Sequence, residues 1–126
     1  MDAREAALLA LNDSQRQGGW SDAILKKRLA SAGLDSRDGA LATQLCFGVL
    51  QNRLLLDFYL SHFSNLHLKR MEGRVVEALR LGAYQMLFLD KIPHSAAVNA
   101  SVELTRKHCK NPRAAGMVNG ILRNLE

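Results

Sequence analysis

Proline occurs only twice and cysteine only twice in the 126 residues, and aromatic side chains make up 6%. The scarcity of proline, with nine glycines that follow no period, excludes collagen-like and linker-like chains. The two cysteines, Cys46 and Cys109, cannot build a disulfide framework. No stretch approaches the roughly 18 apolar residues that a membrane span requires. The longest early apolar run, Ala6 to Leu11, is too short for a signal-peptide core. These absences predict a cytoplasmic protein with reduced thiols and no membrane partner. So few aromatics also argue against base stacking as the main means of holding a nucleic acid.

Catalytic signatures are missing as well. There is no glycine-rich dinucleotide or phosphate loop, and no nucleophile elbow. The histidines His62, His67, His94 and His108 form no H-x-x-x-H pair, and neither cysteine sits in C-x-x-C, so no metal site is expected. Asp57, Glu77 and Asp90 each lie near a base and read as solvated helix faces. Cys46, between Leu45 and Phe47, reads as a buried structural thiol. Cys109, between His108 and Lys110, reads as a surface residue at a helix end, in a setting able to lower its pKa. Catalysis by this chain alone is not expected, and no catalytic or cofactor-binding residue is assigned.

What is present is helical spacing. Hydrophobic residues make up 48% and charged residues 23% of the chain, the composition of a globular domain. A chain of this length buries about two-thirds of its unfolded surface, enough for a core without staples. Ala114, Met117, Val118, Ile121, Leu122 and Leu125 follow the i, i+3, i+4, i+7 rule, with Asn111 as a cap and Pro112 suited to the first turn. From Glu72 to Leu89, Val75, Val76, Leu79, Ala83, Met86 and Leu87 form one apolar stripe, and Leu81, Tyr84 and Phe88 a second. A helix apolar on most of its circumference belongs at the centre of a bundle. Gly82 within it allows a neighbour to pack close, and Gly116 with Gly120 suggests the same.

The remaining helices follow by the same logic. The first runs from Asp2 to Gln17 and stops at Gly18-Gly19. A second, capped by Ser21 or Asp22, ends near Gly33. Asp35 and Asp38 open a third, which carries Leu41, Leu45, Gly48 and Val49 on one side. Leu54 to Phe63 forms a fourth, and Pro93 to His108 the sixth. The expectation is an all-α fold, one bundle of about seven helices in a single domain spanning residues 1–126, without internal repeats.

The net charge is +5. Its distribution says more than its total. Leu104 to Leu125 holds no acid but contains Arg106, Lys107, Lys110, Arg113 and Arg123. A second run, Lys69 to Arg80, sets Lys69, Arg70, Arg74 and Arg80 against Glu72 and Glu77. Lys26, Lys27 and Arg28 form a third, but three consecutive residues cannot share one helix face. Phosphate binding needs several cations converging on one surface, because each neutralised phosphate releases counterions. The connection between the last two helices offers both backbone N–H groups and basic side chains.

Arg80-Leu81-Gly82-Ala83-Tyr84-Gln85-Met86-Leu87-Phe88-Leu89-Asp90-Lys91-Ile92-Pro93 is similar to the central helix of the NusB-like domain of bacterial 16S rRNA cytosine-5 methyltransferases of the Sun/Fmu (RsmB) type. Ala97-Val98-Asn99 with Val102-Glu103-Leu104 resembles the next helix of that family, and Ala115-Gly116-Met117-Val118-Asn119-Gly120-Ile121-Leu122-Arg123 its last. Ala3-Arg4-Glu5-Ala6-Ala7 and the stretches Arg37 to Ala42 and Gly48 to Leu50 fit as well. The resemblance covers nearly the whole chain. It implies a helical bundle that binds RNA and precedes a catalytic methyltransferase domain, absent here, which uses S-adenosylmethionine. It adds Arg4 to the candidates for phosphate contact, which become Arg4, Lys69, Arg70, Arg74, Arg106, Lys107, Lys110, Arg113 and Arg123. Stand-alone NusB antitermination factors resemble the chain too. They bring aromatics to RNA at positions that fall on Asn12 and Met117 here, and the family commonly has Glu where this chain has Ala100.

Two rival readings accompany the leading one, an RNA-binding module that orients a methyltransferase on rRNA. One is a protein-interaction module that docks a catalytic domain, a ribosomal protein or a second copy of itself. An exposed apolar patch without a basic rim would favour it. The other is a free-standing antitermination factor.

Overall fold

The computed structural model describes residues 1–17 and 22–126. Among these residues there are six α-helices and no strand: α1 (Ala3–Arg16), α2 (Asp22–Ser31), α3 (Ser36–His62), α4 (Gly73–Phe88), α5 (His94–His108) and α6 (Ala114–Asn124), with a single 3-10 turn at Leu68–Arg70. The Gly18-Gly19 stop and the Ser21 cap lie outside the described residues. No helix among them is long and apolar enough to cross a membrane.

The segment with two apolar stripes is the centre of the bundle. Every residue of α4 from Val75 to Met86 is buried, and α1, α3, α5 and α6 all pack on it. Leu8, Leu11, Leu45, Leu79, Leu81 and Leu122 are fully buried between them. Helix starts follow the acids read from the sequence. The Asp2 carboxylate accepts the Glu5 N–H at 2.8 Å, and the Asp35 carboxylate accepts the Asp38 N–H at 2.8 Å. Asn111 caps the α6 entry by accepting the Arg113 N–H at 3.0 Å.

The expected third and fourth helices are the two halves of α3, separated as expected by non-helical backbone at Asn52, where φ is −111° and ψ is 15°. The Asn52 side-chain amide donates to the Gly48 carbonyl at 2.8 Å. That carbonyl is the acceptor a regular helix offers to the Asn52 backbone N–H. A side chain inserted into the i→i−4 ladder bends a helix without ending it.

Glycine marks two close approaches. A Cβ at Gly48 would overlap the Tyr84 ring, and one at Gly82 would lie 2.6 Å from Leu122 Cδ1 and 2.7 Å from Ser101 Oγ. Gly116 and Gly120 do not share this role. Nothing lies within 4 Å of a Cβ at either, so their spacing reflects no helix contact. Cys46 is buried as expected, and burial pushes its thiol up to about 12. Cys109 departs from expectation. It closes α5 but is buried, and burial pushes its thiol up to about 11 in spite of its basic neighbours in sequence.

Candidate nucleic-acid interface

The last turn of α5 carries Arg106 and Lys107, cations placed where the helix dipole favours them, and ends at His108. Arg74, from the first turn of α4, donates to the His108 carbonyl at 3.0 Å and so satisfies one of the open acceptors at that helix end. The chain then turns through residues 109–113 into α6. The Lys110 backbone N–H donates to Glu72 Oε1 at 2.9 Å. Together with the Arg113 bond to Asn111, this fixes the connection through its backbone. The Lys110 and Arg113 side chains stay exposed, as do those of Lys69 and Arg70. Among the described residues no ion pair neutralises any of these four.

Glu5 ties α1 to the same corner. Its Oε2 lies 2.6 Å from Lys107 Nζ and 2.6 Å from His108 Nε2. These hydrogen bonds, the Lys107 one foremost, hold the buried Glu5 carboxyl below the usual carboxylate range. Arg4, one residue earlier, donates to Gln85 Oε1 at 2.8 Å. It shares with Lys107, Asn99 and Glu103 the wall of a cleft of about 390 Å³.

The structure therefore gathers Arg74, Lys107, Lys110 and Arg113 around the α5–α6 connection, with Arg4 reached through the cleft. Lys69 and Arg70 sit in the 3-10 turn just before α4. Two candidates stand apart. Arg106 is paired with Glu103 on an exposed surface, a contact of small energetic weight. Arg123 donates to Asn119 at 3.0 Å, and it lies about 15 Å along α6 from Arg113 by helical rise.

Residues 1–126 match the NusB family. The chain belongs to the NusB family.

Among relatives, this NusB-family chain is 36% identical over 123 residues to the probable ribosomal RNA small subunit methyltransferase B of Bacillus subtilis, covering 98% of this chain and 27% of that one. It is 37% identical over 95 residues to the transcription antitermination protein NusB of Bacillus licheniformis, covering 74% of this chain and 73% of that one. Among solved structures, a complex of the antitermination factors NusB and NusE with double-stranded RNA superposes with a TM-score of 0.87 at 22% identity, covering 98% of this chain and 92% of that one. The helical bundle is thus the NusB fold. The chain spans about a quarter of the length of the methyltransferase relatives that it matches.

Within this NusB-family bundle, one charged group was misplaced by sequence reasoning. Asp57 and Glu77 are not solvated faces. Arg80 Nε and one terminal nitrogen donate to the two Asp57 oxygens at 2.7 and 2.8 Å, and its other terminal nitrogen donates to Glu77 Oε2 at 3.0 Å. Arg80 and Glu77 are buried, so this arginine joins α3 to α4 and offers no phosphate contact. The second Glu77 oxygen has no hydrogen-bond partner among the described residues, and burial pushes this carboxyl up against the pull of Arg80. Asp90 is exposed, as expected. The i, i+3 spacing of Glu77 and Arg80 was the available signal. Lys69, with Arg53, His67 and this group, lines a second cleft of about 690 Å³. Asn12 is buried and Met117 half-buried.

Proposed function

We propose that this chain is the RNA-binding module of a 16S rRNA cytosine-5 methyltransferase, supplying affinity and orientation to a catalytic domain carried elsewhere in the same polypeptide. The observation that carries the reading is the α5–α6 connection. There the exposed Lys110 and Arg113 side chains enter no ion pair among the described residues, beside Arg74 and the Glu5-paired Lys107, with Glu72 held on the Lys110 backbone, on a bundle of the NusB fold. Such a surface binds a polyanionic backbone by releasing its counterions. Lys69 and Arg70 extend it toward the start of α4. The match of nearly the whole chain to about a quarter of methyltransferase relatives supports the second half of the reading, and S-adenosylmethionine belongs with the catalytic domain, so no residue of this chain is assigned to it. The cytoplasm is the compartment this activity requires.

Titration with an rRNA helix fragment at several salt concentrations tests the RNA half. Affinity should fall linearly with salt on logarithmic axes, by a slope near 0.9 for each phosphate engaged. Binding indifferent to salt would remove the electrostatic surface from the account.

A second reading, transcription antitermination, is favoured by relatives of similar length. The antitermination protein NusB of Bacillus velezensis is 33% identical over 125 residues and is 92% covered. Against it, Asn12 and Met117 stand where aromatics are expected for that RNA. A coding sequence that continues into a methyltransferase domain excludes this alternative.

A further inference from the structure

Glu72 stands among cations. It is the one acid in residues 69–74, between Lys69 and Arg70 of the 3-10 turn and Arg74 of α4, and residues 104–125 hold none. A carboxylate there repels the phosphates that Lys110 and Arg113 are placed to meet. It also forgoes the bond that its place in the chain offers. Glu72 directly precedes α4, yet its side chain makes no capping bond to that helix. It reaches instead to Lys110, 38 residues away in sequence, and accepts that backbone N–H at 2.9 Å.

The way α5 ends gives the reason. The Cys109 N–H still donates to the Thr105 carbonyl at 3.0 Å, so the Lys110 N–H is the first to leave the helical ladder. Glu72 supplies its acceptor, and Arg74, two residues on, supplies a donor to the His108 carbonyl at 3.0 Å. The segment 72–74 therefore grips residues 108–110 by one donor and one acceptor. Gly73, between the two, packs so closely on α1 that a Cβ would stand 2.9 Å from Asn12 Oδ1. A backbone N–H bonded to a carboxylate is among the stronger hydrogen bonds. A connection already held in its bound shape loses less entropy on binding. We propose that Glu72 is a positioning residue of the RNA-binding surface. By accepting a hydrogen bond, and in spite of its charge, it holds the α5–α6 connection so that Lys110 and Arg113 meet one RNA backbone together with Lys69 and Arg70. Arg74 is the second half of this clamp rather than a phosphate contact. The inference rests on the RNA-binding reading above.

The test compares two substitutions in the complete gene product. Glu72→Gln removes the charge and keeps a carbonyl acceptor, whereas Glu72→Ala removes both. With an rRNA helix fragment at low salt, the glutamine variant should bind about threefold more tightly than the unsubstituted protein, a gain that fades as salt rises. The alanine variant should bind about tenfold more weakly than the glutamine variant, since the two share a charge and differ in the acceptor. Hydrogen exchange at the Lys110 amide should quicken in the alanine variant alone. Arg74→Ala should weaken binding without changing the slope against log salt, which a lost phosphate contact would lower by about 0.9. Equal affinities for the glutamine and alanine variants would overturn the proposal, because Glu72 would then act through charge alone. Slow Lys110 exchange in the alanine variant would overturn it too. Binding by the unsubstituted protein that ignores salt would instead remove the RNA reading, and this inference with it, whatever the exchange rates.

Discussion

At its first turn α4 carries Arg74, bonded to the end of α5. About 21 Å further along its axis it finishes in Leu87 and Phe88, both exposed. α6 repeats the contrast, with Arg113 before its first turn and Leu125 in the wall of a cleft that Phe58, Tyr59 and Phe63 also line. The basic end is fixed by backbone bonds and by Glu5, so its free cations have a rigid mount. The aromatic end is made of exposed side chains that touch one another. Charge and apolar surface thus lie at opposite ends of the same helices, and a change at one end leaves the other untouched.

Several experiments can break or sharpen that contrast. Arg80→Ala has the largest expected effect. It removes the link between α3 and α4 and leaves Asp57 and Glu77 uncompensated, at a cost of about 3–5 kcal/mol. Calorimetric unfolding should show the loss, and both ends should fail together. Lys110→Glu with Arg113→Glu should act on one end alone. RNA affinity should drop, and the slope against log salt should shrink by about 2. The unfolding midpoint should move by less than the equivalent of about 0.5 kcal/mol. Unfolding curves that shift together with RNA affinity would mean the connection is structural rather than a binding surface.

Glu5 supplies a pH-dependent test of the basic mount. Its carboxyl titrates below its ordinary value in the folded protein, so its contribution is present above the unfolded value and is lost as pH falls through the folded one. Glu5→Gln should remove that part of the acid limb in urea unfolding measured across pH. The smallest effect is expected at Gly116. A helical glycine with open space around its Cβ should accept alanine with a gain of about 0.5–1 kcal/mol. Gly82→Ala, facing Leu122 and Ser101, should instead destabilise. Thermal melts of the pair decide whether the α6 glycines are free of packing duty.

Much of the bundle was legible because helical period and capping acids are local. α4 declared its central place by being apolar all round, and Asp2, Asp35 and Asn111 cap as their chemistry requires. The break at Asn52 was legible as a boundary between two helical runs, and what the sequence did not show is that the two halves follow one another with no intervening loop. The pairing of half-buried Asp57 and buried Glu77 with Arg80 was hidden because charged neighbours in sequence do not show which face they share. A carboxylate near a base in sequence looks the same whether the pair faces water or a neighbouring helix. Of the basic residues, the α5–α6 group was readable from an acid-free run, but the separation of Arg123 from it is a matter of helix length. The run Leu54 to Phe63 read as helix former, and only the packing shows that one of its faces has no cover.

Gly48 links the core to that open face. Its missing Cβ admits the Tyr84 ring, its carbonyl receives the Asn52 amide, and Tyr84 in turn lies flat on Phe88. One phenol ring therefore touches both the exposed Phe88 and the glycine one turn before the bend of the longest helix, so enlarging residue 48 would displace Tyr84 from its place against Phe88.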